Sequence, residues 1–485
     1  MENTHVHTDN KFLAGPFAPW AEENVAYDLE VDGQIPEDLA GALFRISANP
    51  RFAPLDLDRY HWWEGDGMVC GVYLRDGRAA YRTRWVETDS MRFEVEQGEA
   101  VYSGFANGGN PRPLPPGAPP AKNVANTNVG IFDDHLLVYF EGGLPYSMHP
   151  ETLETYGTYD FHGGIDVLCT AHYKIDPSGG DMLFFAATGP RITWLRADAK
   201  TGTVIDIHSF DIGVPVLMHD FAVSENYAVF FVTPAQFRLD HIMQGKPGVV
   251  WDEKSLPHGV QIVLLDRRTH AVTWHEVGGS WANTHFYNAY EDSGRLIIDG
   301  HRITRLGTPA DRLDAPPSAH SWFPPAIPHR WTVDLATGTA KEERVSGLAG
   351  EFPKINDDYT GRRHRYGYFV TTRGVSRDIM SDGLAKHDYL RDTTVVVEGP
   401  GPLTSPSEPV FVSRADAIGE DDGYLLSLWW NRETDLTELL VHDAADLIRQ
   451  PLARVKLPSR VPFGFHGSWA GQATLDQAVA RQNEG

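Results

Sequence analysis

The chain has 485 residues, 41% of them hydrophobic, enough apolar material for more than one small core. Its 66 acidic residues outnumber 42 lysines and arginines, giving a net charge of −24. A surface of that sign repels phosphate backbones and argues against a nucleic-acid partner. Two cysteines, Cys70 and Cys169, are too few for a disulfide scaffold and fit a reducing cytoplasm.

Residues 1–25 are polar and mixed in charge, without the basic and apolar regions of a secretory signal, and are expected to be a loosely ordered end. Short strand-like runs then follow one another. Residues 71–88 (GVYLRDGRAAYRTRWVET) hold two alternating runs about the turn Asp76-Gly77. Similar runs recur at 135–161, 181–189, 227–237, 259–277, 294–304, 329–345, 393–399, 423–443 and 453–458. Turn signals such as DGR, DPSGGD, DAKTGT, EDSG and DLATGT separate them. Residues 110–120 (NPRPLPPGAPP) and 306–328 read as insertions crossing one face as loops. Long amphipathic helices are scarce. The best candidate, QATLDQAVARQ in the tail 472–485, is expected to fray. No stretch approaches the roughly 18 apolar residues of a spanning helix. Many hairpins at this length predict an all-β propeller, although WD and kelch signatures are absent. No linker divides the chain, so residues 1–485 are expected to form one domain.

Four histidines share a local setting, each at the start of an apolar run or in a tight turn. They are His172 in CTAHYKIDP, His219 in LMHDFAV, His285 in ANTHFYNAYED and His466 in PFGFHGSWA. Their gaps of 47, 66 and 181 residues match no local zinc motif. They suit a ring of sheets in which separate blades each send one imidazole toward a common axis. Neutral imidazole binds Zn, Cu, Fe and Ni. Among 21 histidines, spacing alone does not single these out.

Ordered motifs along nearly the whole chain do. DLEVDGQIPEDLAGALFRISANPRF, YHWWEGDGMVCGVYLRDG, ANTNVGIFDDHLLVYFEGGLPYSMHPETLETYG, TAHYKIDP, MHDFAVSENYAVF, HFYNAYED, EFPKINDDYTGRRHRYGY, SEPVFVSR, EDDGYLLSLWWN and FGFHGSW together resemble the carotenoid cleavage oxygenase family, which includes stilbene cleavers. The resemblance implies a seven-bladed β-propeller with a dome of loops and short helices over the iron-bearing face. It implies one Fe(II) per chain held by His172, His219, His285 and His466, with O2 as co-substrate. It places three supporting carboxylates at Glu141, Glu351 and Glu408, orienting His219, His285 and His466 respectively, and leaves His172 without one. A carboxylate that accepts the Nδ1–H fixes tautomer and ring direction.

The resemblance also bears on substrate. Thr127 matches a residue that crowds one of the two positions left beside four ligands. Stilbene cleavers place a phenol-gripping lysine before the first glutamate, and here that residue is Phe140. The companion tyrosine corresponds to Phe105. Trp63 and Phe286 are further candidate lining residues. These replacements favour a hydrophobic olefin over a phenolic stilbene. Family members often dock on membranes, and residues 192–195 and 237–251 are candidate apolar entrance patches. Three rival readings remain at this stage: an aryl-alkene cleaver of stilbene, isoeugenol or vinylguaiacol type, an isomerising or hydrolysing relative, and a non-catalytic binding propeller. Oligomeric state is not legible.

Overall fold

The computed structural model describes residues 10–104, 110, 112–244, 246–306, 325–372, 381–401 and 403–484. Alternating runs rich in Val, Ile, Phe, Tyr and Trp pair into seven antiparallel blades of a β-propeller. The blades are numbered here by their innermost strands. Blade 1 opens with Asn128–Phe132, blade 2 with Lys174–Ile175, blade 3 with Ala222–Val223 and blade 4 with Ala282–Asp292. Blade 5 opens with Gly350–Lys354 and blade 6 with Thr404–Pro406 and Val410–Ser413. The innermost strand of blade 7 is Gly464–Gly471, near the C-terminus.

The ring is closed twice by the N-terminal segment. Gly464–Gly471 pairs antiparallel with Gly41–Ala48, which continues into Gly67–Arg75 and Arg78–Trp85. Val31–Gly33 adds to the outer strand Ala453–Lys456 of blade 6. The hairpin turn Asp76-Gly77 has positive φ at both residues (51° and 71°), which matches the right-handed twist of its flanking strands.

The core is distributed as wedges, one between each pair of neighbouring blades. Trp281 stacks on Trp331 at 5.3 Å between blades 3 and 4, with Phe231 and Phe286 against them. Phe185, Trp194, Phe221 and Phe230 fill the wedge between blades 2 and 3. Each blade is therefore buried on both faces, and insertions between strands leave the wedges intact. That is why no clean sequence repeat is needed.

The helix Asp89–Gln97 lies beside blade 7. Thr88 Oγ1 caps it by accepting from Met91 N (3.2 Å), and Gly98 ends it at φ 76°. Its buried Glu94, together with the buried Asp66, binds Lys122 Nζ at 2.8 Å, which pins Lys122 beside the helix.

Three expectations are corrected. The N-terminal end is anchored from Asn10, whose side chain donates to the carbonyls of Leu57 and Tyr60, while Phe12, Leu13 and Phe17 are buried. The C-terminal tail is a helix, Gln472–Glu484, that buries Leu475 and Ala478 and donates from Gln477 to Asp134 (2.9 Å). Apolar residues one turn apart give the tail a face to dock. The patch at 192–195 is not on the surface: Ile192, Trp194 and Leu195 are buried, because a blade strand presents both faces to neighbours. In 237–251, Leu239 and Met243 are exposed, whereas Val249 is buried. Cys70 and Cys169 are both free and buried.

The closing strand generates a prediction. A Cβ on Gly464 meets the Ile46 carbonyl oxygen at 2.0 Å and Ser47 Cα at 2.5 Å. Gly464→Ala should therefore destabilise by about 1–3 kcal/mol in denaturant melts, as overpacking does. Gly179→Ala, which has nothing within 4 Å, should stay within about 0.5 kcal/mol of the parent.

Candidate metal centre

The innermost strands bring seven separated residues to the axis. Thr127 immediately precedes that of blade 1; His172 and His219 lie just ahead of those of blades 2 and 3. His285 and Glu351 lie within those of blades 4 and 5, Glu408 between the two short strands of blade 6, and His466 within that of blade 7. Glu141 follows the second strand of blade 1, His135–Tyr139, which runs antiparallel to the first.

Four of these residues converge. One ring nitrogen each from His172, His219, His285 and His466 lies within 4.8 Å of the others. His219 Nε2 is 3.1 Å from His172 Nε2 and 3.0 Å from His285 Nε2. Ring centroids of neighbouring pairs are 4.4–5.0 Å apart, with ring planes steeply inclined.

Carboxylates decide which nitrogens face inward with a lone pair. His285 Nδ1 lies 2.7 Å from Glu351 Oε2, and His466 Nδ1 lies 2.8 Å from Glu408 Oε1. His219 Nδ1 is paired with Glu141 Oε1. Each carboxylate accepts, so each Nδ1 carries the proton and each Nε2 keeps its lone pair. His219 Nε2 then faces the lone pair of His285 at 3.0 Å, and His172, which no carboxylate fixes, lies 3.1 Å away. A cation at the centre would satisfy all of these nitrogens together.

The ionisation states agree for His172 and His466, whereas His219 leans toward its charged form beside Glu141. Burial, with His466, His219 and His285 close by, holds His172 well below the usual imidazole range. Burial likewise brings His466 down to about 4. Burial opposes the charge of Glu408, but Lys354, His466 and Arg45 outweigh it and hold its carboxyl at about 2. Glu351 stays well below the usual carboxylate range because His285 outweighs its burial. Glu141 outweighs the burial of His219 and raises it.

The donor set fits a divalent transition metal. Nitrogens about 2.1 Å from an ion lie about 3.0 Å apart at right angles and about 3.4 Å apart in a tetrahedron. The observed 3.0 and 3.1 Å match right angles.

Glu408 is the most heavily held carboxylate. Oε2 also accepts Gly467 N–H at 2.8 Å, while Arg45 and Lys354 stand 3.7 and 3.4 Å away. His172 has no comparable partner. Its Nδ1 is 4.0 Å from Asp220, beyond hydrogen-bond range.

The other sequence candidates are dispersed. Thr127 is buried, donates to Asn126 Oδ1 (3.1 Å) and accepts His466 N–H on its carbonyl (3.2 Å). Trp63 packs half-buried beside the core between blades 7 and 1, and its carbonyl takes Asn126 Nδ2 at 2.8 Å. Phe140 is half-buried directly before Glu141. Phe286 is corrected: it is a core residue between blades 3 and 4, since adjacent strand residues leave on opposite faces and His285 takes the axial one. Phe105 lies outside the described residues.

Two residues escaped the sequence reading. Phe352 holds a left-handed backbone (φ 56°) at a register shift, stacks on His285 at 5.8 Å and meets His466 edge-on at 5.4 Å. Phenylalanine rarely adopts that conformation, so no pattern announces it. Asp220, buried beside His219, binds Lys174 Nζ and the Phe221 and Phe286 N–H groups, all at 2.8 Å. Its only signal is its place directly after a ligand histidine.

Residues 17–471 match the family model of the retinal pigment epithelial membrane protein. The chain belongs to the carotenoid cleavage oxygenase family. It is 30% identical to carotenoid 9,10(9',10')-cleavage dioxygenase 1 of Phaseolus vulgaris, over 96% of this chain and 90% of the relative. It is also 30% identical to isoeugenol monooxygenase of Pseudomonas putida, over 94% and 97%. The crystal structure of Pseudomonas brassicacearum lignostilbene dioxygenase superposes with TM-score 0.87 at 26% identity, covering 96% of this chain and 99% of that one.

The carboxylates act through the histidines. Glu141→Gln, Glu351→Gln and Glu408→Gln should keep the fold and each weaken metal binding roughly 10–100-fold in chelator competition. Three variants with parental metal affinity would disprove the assignment.

Proposed function

We propose that the chain is a non-haem Fe(II) dioxygenase that cleaves a C=C bond of an apolar conjugated olefin with O2, giving two carbonyl products. The observation that carries this reading is the four-imidazole cluster whose inward lone pairs are enforced by Glu141, Glu351 and Glu408. Family membership supports alkene cleavage by O2. A propeller used only for binding has no need of such a cluster.

His172, His219, His285 and His466 would hold the metal, one ion per chain. When bound, Fe(II) supplies the one-electron chemistry that lets O2 react with a closed-shell olefin. The chain's own part is orientation and exclusion. The carboxylates fix three rings and keep their tautomers. Phe352 covers the site beside His285 and His466 with an apolar face. Thr127, whose carbonyl is tied to the His466 strand, would narrow one side of the reaction space. Both oxygen atoms of O2 enter the two carbonyls, so the overall reaction balances without an external reductant.

Phe140 favours apolar, carotenoid-like or apocarotenoid-like olefins, because it gives a buried phenol oxygen no partner. A second reading, aryl-alkene cleavage, is supported by the relatives named isoeugenol monooxygenase and lignostilbene dioxygenase. The exposed Leu239 and Met243 suit contact with a membrane or a lipid-like substrate store. Among the described residues no helix is long and apolar enough to cross a membrane.

Labelled O2 tests the reaction. Each aldehyde from iron-loaded protein should carry one labelled atom, and turnover without O2 would point instead to isomerisation or hydrolysis. Activity retained by protein holding zinc and no iron would contradict the choice of metal.

Comparing kcat/KM tests the substrate. Apolar polyenes should outperform 4-hydroxystilbenes, and Phe140→Lys should move preference toward the phenols. The move should be modest, since a buried ammonium tends to shed its proton. Parental protein that prefers phenolic stilbenes by a wide margin would overturn the polyene assignment and leave the oxygenase reading in place.

A further inference from the structure

We propose that Asp220 is a positioning residue that ties together the three consecutive blades carrying His172, His219 and His285, and so sets the spacing of their imidazoles. The inference rests on the metal-centre reading above and deepens it.

Asp220 directly follows His219, and its carboxylate collects one donor from each of three blades. Oδ1 takes Lys174 Nζ and Phe221 N–H, and Oδ2 takes Phe286 N–H, each at 2.8 Å. Every donor is a near neighbour of a ligand in sequence. Lys174 is two residues after His172, Phe221 two after His219, and Phe286 one after His285. The three imidazoles involved are those with the 3.1 and 3.0 Å Nε2 separations.

The Phe286 donor is available for a specific reason. The blade 4 strand Ala282–Asp292 shifts register between Asn283 and Phe286 and again between Phe286 and Asn288. Such irregularities re-aim the strand, and as the innermost strand of its blade it leaves one edge unpaired. From that edge the Phe286 N–H reaches Asp220 of the neighbouring blade. A buried N–H left without an acceptor is costly, so the pairing is strongly enforced.

Charge supports the same role. The Asp220 carboxylate pairs with the Lys174 ammonium at 2.8 Å. It puts a negative charge 4.0 Å from His172 Nδ1, beside the ligand that lacks a hydrogen-bonded carboxylate. The side chain is too far for a direct bond to any imidazole, so its effect passes through the backbone and through the field.

Asp220→Asn tests this. An amide keeps the size but cannot accept from Phe286 N–H and Lys174 with both atoms. Lys174→Met is the second variant. It removes the ammonium and leaves both backbone donors to Asp220. Holoprotein substituted with Co(II) gives two readouts besides turnover: affinity in chelator competition, and the visible d–d bands, which report ligand geometry. Asp220→Asn should lose roughly 10–100-fold in Co(II) affinity, the range for groups that orient metal ligands, and should shift the d–d bands. Lys174→Met should change both in the same direction and by less. A side chain with a purely structural role would lower thermal stability and leave the bands of the loaded protein unchanged. Parental bands and affinity in both variants would overturn the proposal. If Asp220→Asn does not fold, Lys174→Met decides alone: changed bands support the tie and parental bands refute it. Parental protein that takes up no Co(II) at all would defeat the metal-centre reading itself, a result distinct from loaded but unresponsive variants.

Discussion

Three carboxylates each accept a hydrogen bond from the Nδ1–H of a histidine, and the rest of the site depends on that. With Nδ1 protonated, each Nε2 presents a lone pair to the axis, at separations near 3 Å. Such a cluster is self-repelling without a cation. The protein stabilises the arrangement from outside, with Glu408 held between Arg45, Lys354 and the Gly467 amide. Folding therefore organises this set of donors in advance of any metal.

The propeller supplies what a local motif cannot. A helix or hairpin offers ligands only a few residues apart, all approaching from one side. Seven blades about an axis allow residues from 127 to 466 to meet within one small volume. Because the wedges between blades carry the stability, the axial end of each innermost strand is free to carry chemistry. Closure by Gly464–Gly471 on Gly41–Ala48 matters twice, since the closing strand also carries His466.

Much of this was legible in the sequence. Alternating runs and Asp-Gly turns give strands and hairpins because both rest on local physics. The ligand histidines stand out by position at the start of apolar runs, and the ordered motifs select them from 21 histidines. What was not legible depends on backbone geometry. Phe352 reaches the site through a positive φ at a register shift, and Asp220 finds its third partner on the unpaired edge of an irregular strand of the next blade. Phe286, a candidate lining aromatic by residue type, is instead packed in the core between blades 3 and 4. The strand at 192–195 looked like a surface patch because a blade, unlike an open sheet, buries apolar residues on both faces.

X-ray absorption at the iron edge of the loaded protein bears most directly on the central claim. The account predicts a six-coordinate shell with four imidazole nitrogens at roughly 2.1–2.2 Å and no protein carboxylate. A shell with fewer than four imidazoles, or with a glutamate oxygen from the protein bound to iron, would contradict it.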